Sequence, residues 1–149
     1  NPEAIFDGVT DQVQNIPDEL DNIVVPVGSG IQFTGIIRGL QKYNKKVHRV
    51  IGVGFVDRRK SMESYLDKFR YENFPTEVIS FPEYELHLTN HAYSKPILEK
   101  VGDEYMDVIY EGKAHEWMRE NINTDKEKTL FWIVGKQFGK EEVNNLIKM

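Results

Sequence analysis

Residues 22–27 read Asn-Ile-Val-Val-Pro-Val and run straight into Gly28-Ser29-Gly30. β-Branched side chains on both faces of a strand must be covered from both sides, the situation of a central parallel strand. The glycines end the strand. Residues 32–43 then carry Phe33, Ile36, Ile37 and Leu40 at three- and four-residue spacing, which predicts an amphipathic helix. Strand, glycine turn and helix in that order direct the chain to the α/β class. Pro26 has no N–H to give to a ladder, so it is expected at the strand's end.

The same alternation runs through the chain. Residues 2–16 predict a helix with Ile5, Phe6, Val9, Val13 and Ile16 on one stripe and Pro2 at the first helical position. Strands are predicted at 47–55, 77–81 and 129–134, and helices at 58–69, 113–120 and 141–148. Residues 82–103 lack a clear period and are expected to form a long irregular loop. The expected fold is an open, mostly parallel sheet with helices on both faces, within one α/β domain covering residues 1–149. Ligands of such sheets sit at the carboxyl ends of the strands. That selects three loops: 28–32, 56–58 and 135–138.

Composition narrows the function classes. With 40% hydrophobic residues and 17 aromatic ones (eight Phe, seven Tyr, two Trp), the chain can bury a core. It has no cysteine, which excludes disulfide scaffolds, thiol nucleophiles and Cys-type zinc sites. A net charge of -5 argues against wholesale nucleic-acid binding. No apolar run reaches the roughly 18 residues of a membrane span, and the opening residues lack a secretory pattern. No membrane association is expected, and a reducing cytoplasm is compatible. The chain opens on Asn1 rather than Met, compatible with a piece of a longer protein.

Four groups of residues can carry chemistry. Gly28-Ser29-Gly30-Ile31-Gln32 turns backbone N–H groups toward one point at a helix N-terminus, forming an anion cradle. It is no P-loop, because no Gly-Lys-Ser/Thr follows. It fits a dinucleotide fingerprint only partly: Asp57 could serve as the ribose acid, but Phe33 stands where the third glycine belongs. Lys113, in Tyr110-Glu111-Gly112-Lys113-Ala114, is either a Schiff-base lysine or a solvated residue at a helix start, and the second is expected. His87 and His91 would share a helical face and could hold zinc, but residues 85–88 look extended and no third ligand is evident, so no metal is expected. Lys42, Lys45, Lys46, His48, Arg49, Arg58, Arg59 and Lys60 could meet a polyanion, though a solvated surface suits the acidic total better.

Taken together, Val25-Pro26-Val27-Gly28-Ser29-Gly30, Val50-Ile51-Gly52-Val53, His91-Ala92-Tyr93, the 107–114 segment and Leu130-Phe131-Trp132-Ile133-Val134-Gly135 resemble one family. It is the carboxy-terminal half of the fold-type-II, tryptophan-synthase-β-like pyridoxal-phosphate enzymes, nearest the D-cysteine desulfhydrase and aminocyclopropane-carboxylate deaminase branch. The resemblance implies that Gly28, Ser29 and Gly30 hold the cofactor phosphate, with Gly35 closing the loop. Ile31 stands where the family has glycine, and Gln32 where it has threonine. Tyr93 matches a tyrosine near cofactor and substrate, an acid or orienting group. Val134 and Gly135 end the strand that passes the pyridine ring, where the family has a threonine. Lys113 matches a family lysine other than the Schiff-base one.

The family's Schiff-base lysine lies upstream, in an amino-terminal half that these residues do not include. The resemblance therefore implies a complementary half as partner, a homo- or hetero-oligomer, and an amino-acid-type substrate undergoing elimination, deamination or decarboxylation. Two other readings stay open: a degenerate, non-catalytic module of the same fold, which Ile31, Gln32 and Val134 favour, and a nucleotide- or phosphate-binding domain unrelated to pyridoxal chemistry.

Overall fold

The computed structural model describes residues 2–69, 82–89, 96–101, 104–106 and 110–133. The chain opens with helix α1 (Pro2–Gln12), whose last turn tightens into a 3-10 turn at Val13–Asn15. There follow β1 (Glu19–Val27), α2 (Ile31–Lys42), β2 (Lys46–Gly54), α3 (Arg59–Phe69), β3 (Glu85–Leu88), a short ribbon of β4 (Lys100–Val101) with β5 (Glu104–Tyr105), α4 (Glu111–Asn121) and β6 (Thr129–Phe131). The expected strand at 77–81 and helix at 141–148 lie outside the described residues.

The sheet runs β3-β2-β1-β6, and β1 pairs parallel with both neighbours. β1 is therefore central, which is why it is apolar on both faces. Ile23, Val25 and Val27 pack with Phe33, Ile36 and Ile37 of α2. Val24, pointing the other way, packs with Ile51 and Val53 of β2 and with Ala114 and Met118 of α4. Helices thus cover both faces, as the sequence pattern implied.

Pro26 lies one residue inside the end of β1, opposite Val53. Residues two apart on a strand point their backbone groups to the same side. Pro26 therefore shares the side of Val24, whose carbonyl accepts from Trp132 N–H at 2.9 Å. The described pairing with β6 ends at Val24 opposite Phe131, so the missing donor costs no ladder bond there.

α1 and α2 pack closely. A Cβ on Gly39 would come within 2.5 Å of Val13 Cγ2 and 2.8 Å of the Thr10 carbonyl oxygen, so glycine allows the helices to meet. Arg38, buried in this seam, meets Asp7 Oδ1 at 3.1 Å and lies 4.8 Å from the centre of the Phe6 ring.

One expectation is corrected. The long loop expected at 82–103 contains a parallel strand, β3, in register with β2 from Ile51 opposite Glu85 to Gly54 opposite Leu88. Its sequence, Glu-Leu-His-Leu, buries only Leu86 fully, so its alternation is too short to read. A cross-strand pair holds it: Arg49 Nε and Nη2 donate to Glu85 Oε2 and Oε1 at 2.8 and 2.9 Å. The basic stretch 42–60 is largely neutralised in this way. Lys42 meets Asp11 at 3.3 Å, Lys45 meets Asp18 at 2.8 Å and Arg59 meets Asp57 at 3.4 Å, so a solvated, locally paired surface describes it better than a polyanion track.

The Arg49 guanidinium, helped by His87, holds the Glu85 carboxyl down to about 2 from its ordinary 4.5. A carboxylate depressed on folding stabilises the fold fully above its ordinary value and loses that contribution as pH falls through its folded value. Glu85 is partly exposed, so solvent screens the pair and the effect is modest. Urea unfolding as a function of pH is expected to show a loss between pH 4.5 and about 2 that Glu85→Gln removes in part. An identical pH profile for the variant would show that the pair does not anchor β3.

Candidate functional site

The strand order changes direction at β1: β2 and β3 follow on one side, β6 lies on the other. Open α/β sheets bind ligands at such a switch, beyond the carboxyl ends of the strands. A cavity of about 280 Å³ opens there, lined by Val27, Gly28, Ser29, Phe55, Val56, Arg58 and Tyr110. Two of the three loops expected to carry ligands, 28–32 and 56–58, meet in it. The third, 135–138, lies outside the described residues.

The turn into α2 is built for backbone donation. Gly30 adopts a left-handed conformation (φ 93°) and caps the helix without a side-chain bond. A Cβ at this position would also strike Met62 Cγ at 2.8 Å, so only glycine suits it. The first helical bond runs from Thr34 N–H to the Gly30 carbonyl at 3.0 Å. The N–H groups of Ile31, Gln32 and Phe33 precede it and must find partners outside the helix. Ser29 Oγ lies 3.4 Å from Ile31 N, a weak contact. The Gln32 amide oxygen is buried and meets no donor among the described residues. The free N–H groups at the head of α2 suit an incoming anion, whereas the Gln32 oxygen, an acceptor, does not contribute to binding one.

An aromatic wall faces this turn. A Cβ on Gly28 would lie 3.6 Å from Tyr110 Cε1. Phe55 stands edge-on to Tyr110 (centroids 5.6 Å apart, planes at 69°). Behind Phe55 sits Lys113, its Nζ 4.2 Å from the ring centre. This overturns the expectation of a solvated Lys113, which is only 2% exposed. The ring face offsets part of the cost of burying the ammonium. Its neighbour Glu111 is buried too, and is the one fully buried carboxyl among the described residues.

Tyr110 was not singled out from the sequence as a site residue. The Tyr-x-Gly-Lys-Ala string contains it, and its place one residue before a helix aimed at the cavity is the signal. Gly35 serves helix packing: a Cβ there would meet the Phe6 carbonyl at 3.1 Å. Asp57, just before α3, accepts from Arg59 N–H at 3.0 Å, so its carboxylate is engaged by its own turn. His87 lies on β3, bonded to Glu85 at 3.0 Å and stacked on Trp117 at 4.7 Å, so the helical pair with His91 does not form. Tyr93, His91, Val134 and Gly135 lie outside the described residues.

A larger hollow of about 650 Å³ lies at the opposite, amino-terminal end of β1 and β2, lined by both acids (Glu19, Asp21) and bases (Lys45, Lys46, His48, Lys128). α2 ends there, and a helix C-terminus repels anions. The smaller cavity is the better anion site. Among the described residues no helix is long and apolar enough to cross a membrane.

The chain is similar to the O-seryl-dTMP PLP-dependent decarboxylase of Salmonella phage ViI. The two are 25% identical over an alignment 179 positions long, gaps included, which takes in 85% of this chain and 42% of the phage protein. The chain thus spans less than half the length of this relative. No protein-family model and no solved structure matches it. The similarity supports a relationship to pyridoxal-phosphate enzymes. It does not extend to the fold-type-II family or to D-cysteine desulfhydrase in particular.

Gly28 separates folding from ligand binding. A methyl there makes only ordinary contact with Tyr110 but narrows the cavity. If a phosphate-bearing ligand occupies this cavity, Gly28→Ala is expected to keep the unfolding midpoint and to weaken its binding by the chain about tenfold or more. Undiminished binding would place the ligand elsewhere.

Proposed function

We propose that this chain is the phosphate-holding half of a pyridoxal-phosphate-dependent enzyme that acts on an amino acid carried by a larger group, and that a second polypeptide supplies the lysine. The observation that carries the reading is the open head of α2 facing Tyr110 across a cavity at the switch point. The cavity's size agrees: about 280 Å³ falls at the lower edge of small-molecule sites, roughly 300 Å³ and upward. It suits one end of a cofactor and leaves the rest to be enclosed from outside.

Bound there, the cofactor supplies an electron sink for carbanion chemistry. The chain's own residues have simpler tasks. The N–H groups of Ile31, Gln32 and Phe33 hold the phosphate. Phe55 and Tyr110 wall the cavity and keep water from it. Val134, which stands where the resembled family has a threonine, offers no hydrogen bond to a pyridine nitrogen. Lys113 is an unsuitable reactive amine, because its ammonium is packed against the Phe55 ring.

The phage relative suggests decarboxylation of an O-seryl nucleotide. In that reaction the bond from Cα to the carboxylate breaks, carbon dioxide leaves, and a proton is delivered to Cα. Tyr93 is our proposed donor. Ile31 and Gln32 favour a second reading, a non-catalytic module of the same fold, because neither side chain replaces the hydroxyl expected at the phosphate.

The test combines the chain with a lysine-bearing amino-terminal half and pyridoxal phosphate. Visible absorbance of lysine-bound cofactor is expected only when both polypeptides are present, with carbon dioxide released from O-seryl-dTMP faster than from serine. No absorbance from the combination would support the non-catalytic module instead.

A further inference from the structure

Arg58 differs from four of the cations around it. Lys42, Lys45, Arg49 and Arg59 are each held by a carboxylate. Arg58 is exposed and has no ion-pair partner among the described residues. Among the described residues it is also the one cation lining the 280 Å³ cavity, beside Gly28 and Ser29.

Its position is fixed by the packing of two turns. The Arg58 Cβ lies 3.8 Å from where a Cβ on Gly30 would stand, and Met62, one turn into α3, lies closer still. Met62 N–H donates to the Arg58 carbonyl at 2.9 Å, so Arg58 is the residue from which α3 starts. The heads of α2 and α3 therefore converge on one cavity, each with a partial charge of about half a proton. Asp57 is the acid nearest in sequence. Its carboxylate is turned back onto Arg59, through the backbone N–H at 3.0 Å and Nη1 at 3.4 Å.

A phosphate seated on the head of α2 carries close to two negative charges, and backbone N–H groups bring no full positive charge to meet them. Ile31 offers no side-chain donor, and the Gln32 amide oxygen is a buried acceptor. A guanidinium matches two phosphate oxygens at once.

We propose that Arg58 completes the anion cradle, closing from the head of α3 onto a phosphate held by the head of α2. This rests on reading the Gly28–Gly30 turn as a phosphate seat, and it assigns specificity for the phosphorylated cofactor to the loop after β2.

The test measures binding of inorganic phosphate, pyridoxal phosphate and pyridoxal to the full chain by calorimetry, for the unaltered protein, R58Q, R58K and K60Q. Arg58 is exposed, so R58Q should keep the unfolding midpoint. R58Q is expected to weaken both phosphate-bearing ligands about tenfold or more, the scale of one lost charge-assisted pair, and to leave pyridoxal unchanged. R58K should recover part of the loss, while K60Q, an exposed cation two residues on, should bind as the unaltered chain does. Equal phosphate affinity for R58Q and the unaltered chain overturns the proposal, as does the absence of phosphate binding. Equal losses in R58Q and K60Q overturn it too, by showing only diffuse surface charge. Arg58-dependent phosphate binding without visible absorbance in the combined protein would uphold the cradle and reject pyridoxal chemistry. Visible absorbance with an indifferent R58Q would do the reverse.

Discussion

Gly30 is the hinge of the whole arrangement. Its left-handed backbone turns the chain from a strand buried over its last six residues into α2 within three residues. The contact with Met62 that forbids a Cβ there also presses the turn after β2 against the turn after β1. One steric constraint thus aims α2 at the cavity and brings Arg58 beside it. The core serves this placement: with β1 packed on both faces, the height of the turn is fixed by the sheet and not by the loop.

The electrostatics of the two ends of the sheet differ in kind. The amino-terminal end mixes acids and bases, and α2 finishes there with its carbonyls outward. The carboxyl end gathers two helix heads, an exposed arginine and an aromatic wall, with a lysine behind the wall. Burial of Lys113 and Glu111 on the same turn of α4 is costly for a small protein. Such costs are borne where charges are used, which is consistent with a site at this end.

Much of the fold was legible because β1 and β2 are apolar on both faces and the helices between them keep a clean period. β3 was not, because Glu85 and His87 stay half exposed on a strand of four residues and only Leu86 signals burial. The glycine turn was legible as an anion cradle. Tyr110 was not singled out, and Lys113 was expected to be solvated, since a lysine at a helix start ordinarily is. What buries Lys113 is Phe55, a residue far away in sequence that only the packing of α4 on the sheet brings near. Arg58 was visible only as one of several basic residues. What singles it out is its place on the cavity lining beside Gly28 and Ser29, which only the packing of the two turns creates.

The account depends on where a phosphate sits. The direct measurement is a crystal structure of the chain, joined to the proposed lysine-bearing half, with pyridoxal phosphate bound. The account predicts the phosphorus above the N–H groups of Ile31, Gln32 and Phe33, with the Arg58 guanidinium on its outer oxygens and Tyr110 across from it. A phosphate held instead by Lys45, Lys46 and Lys128 at the far end of the strands would contradict it.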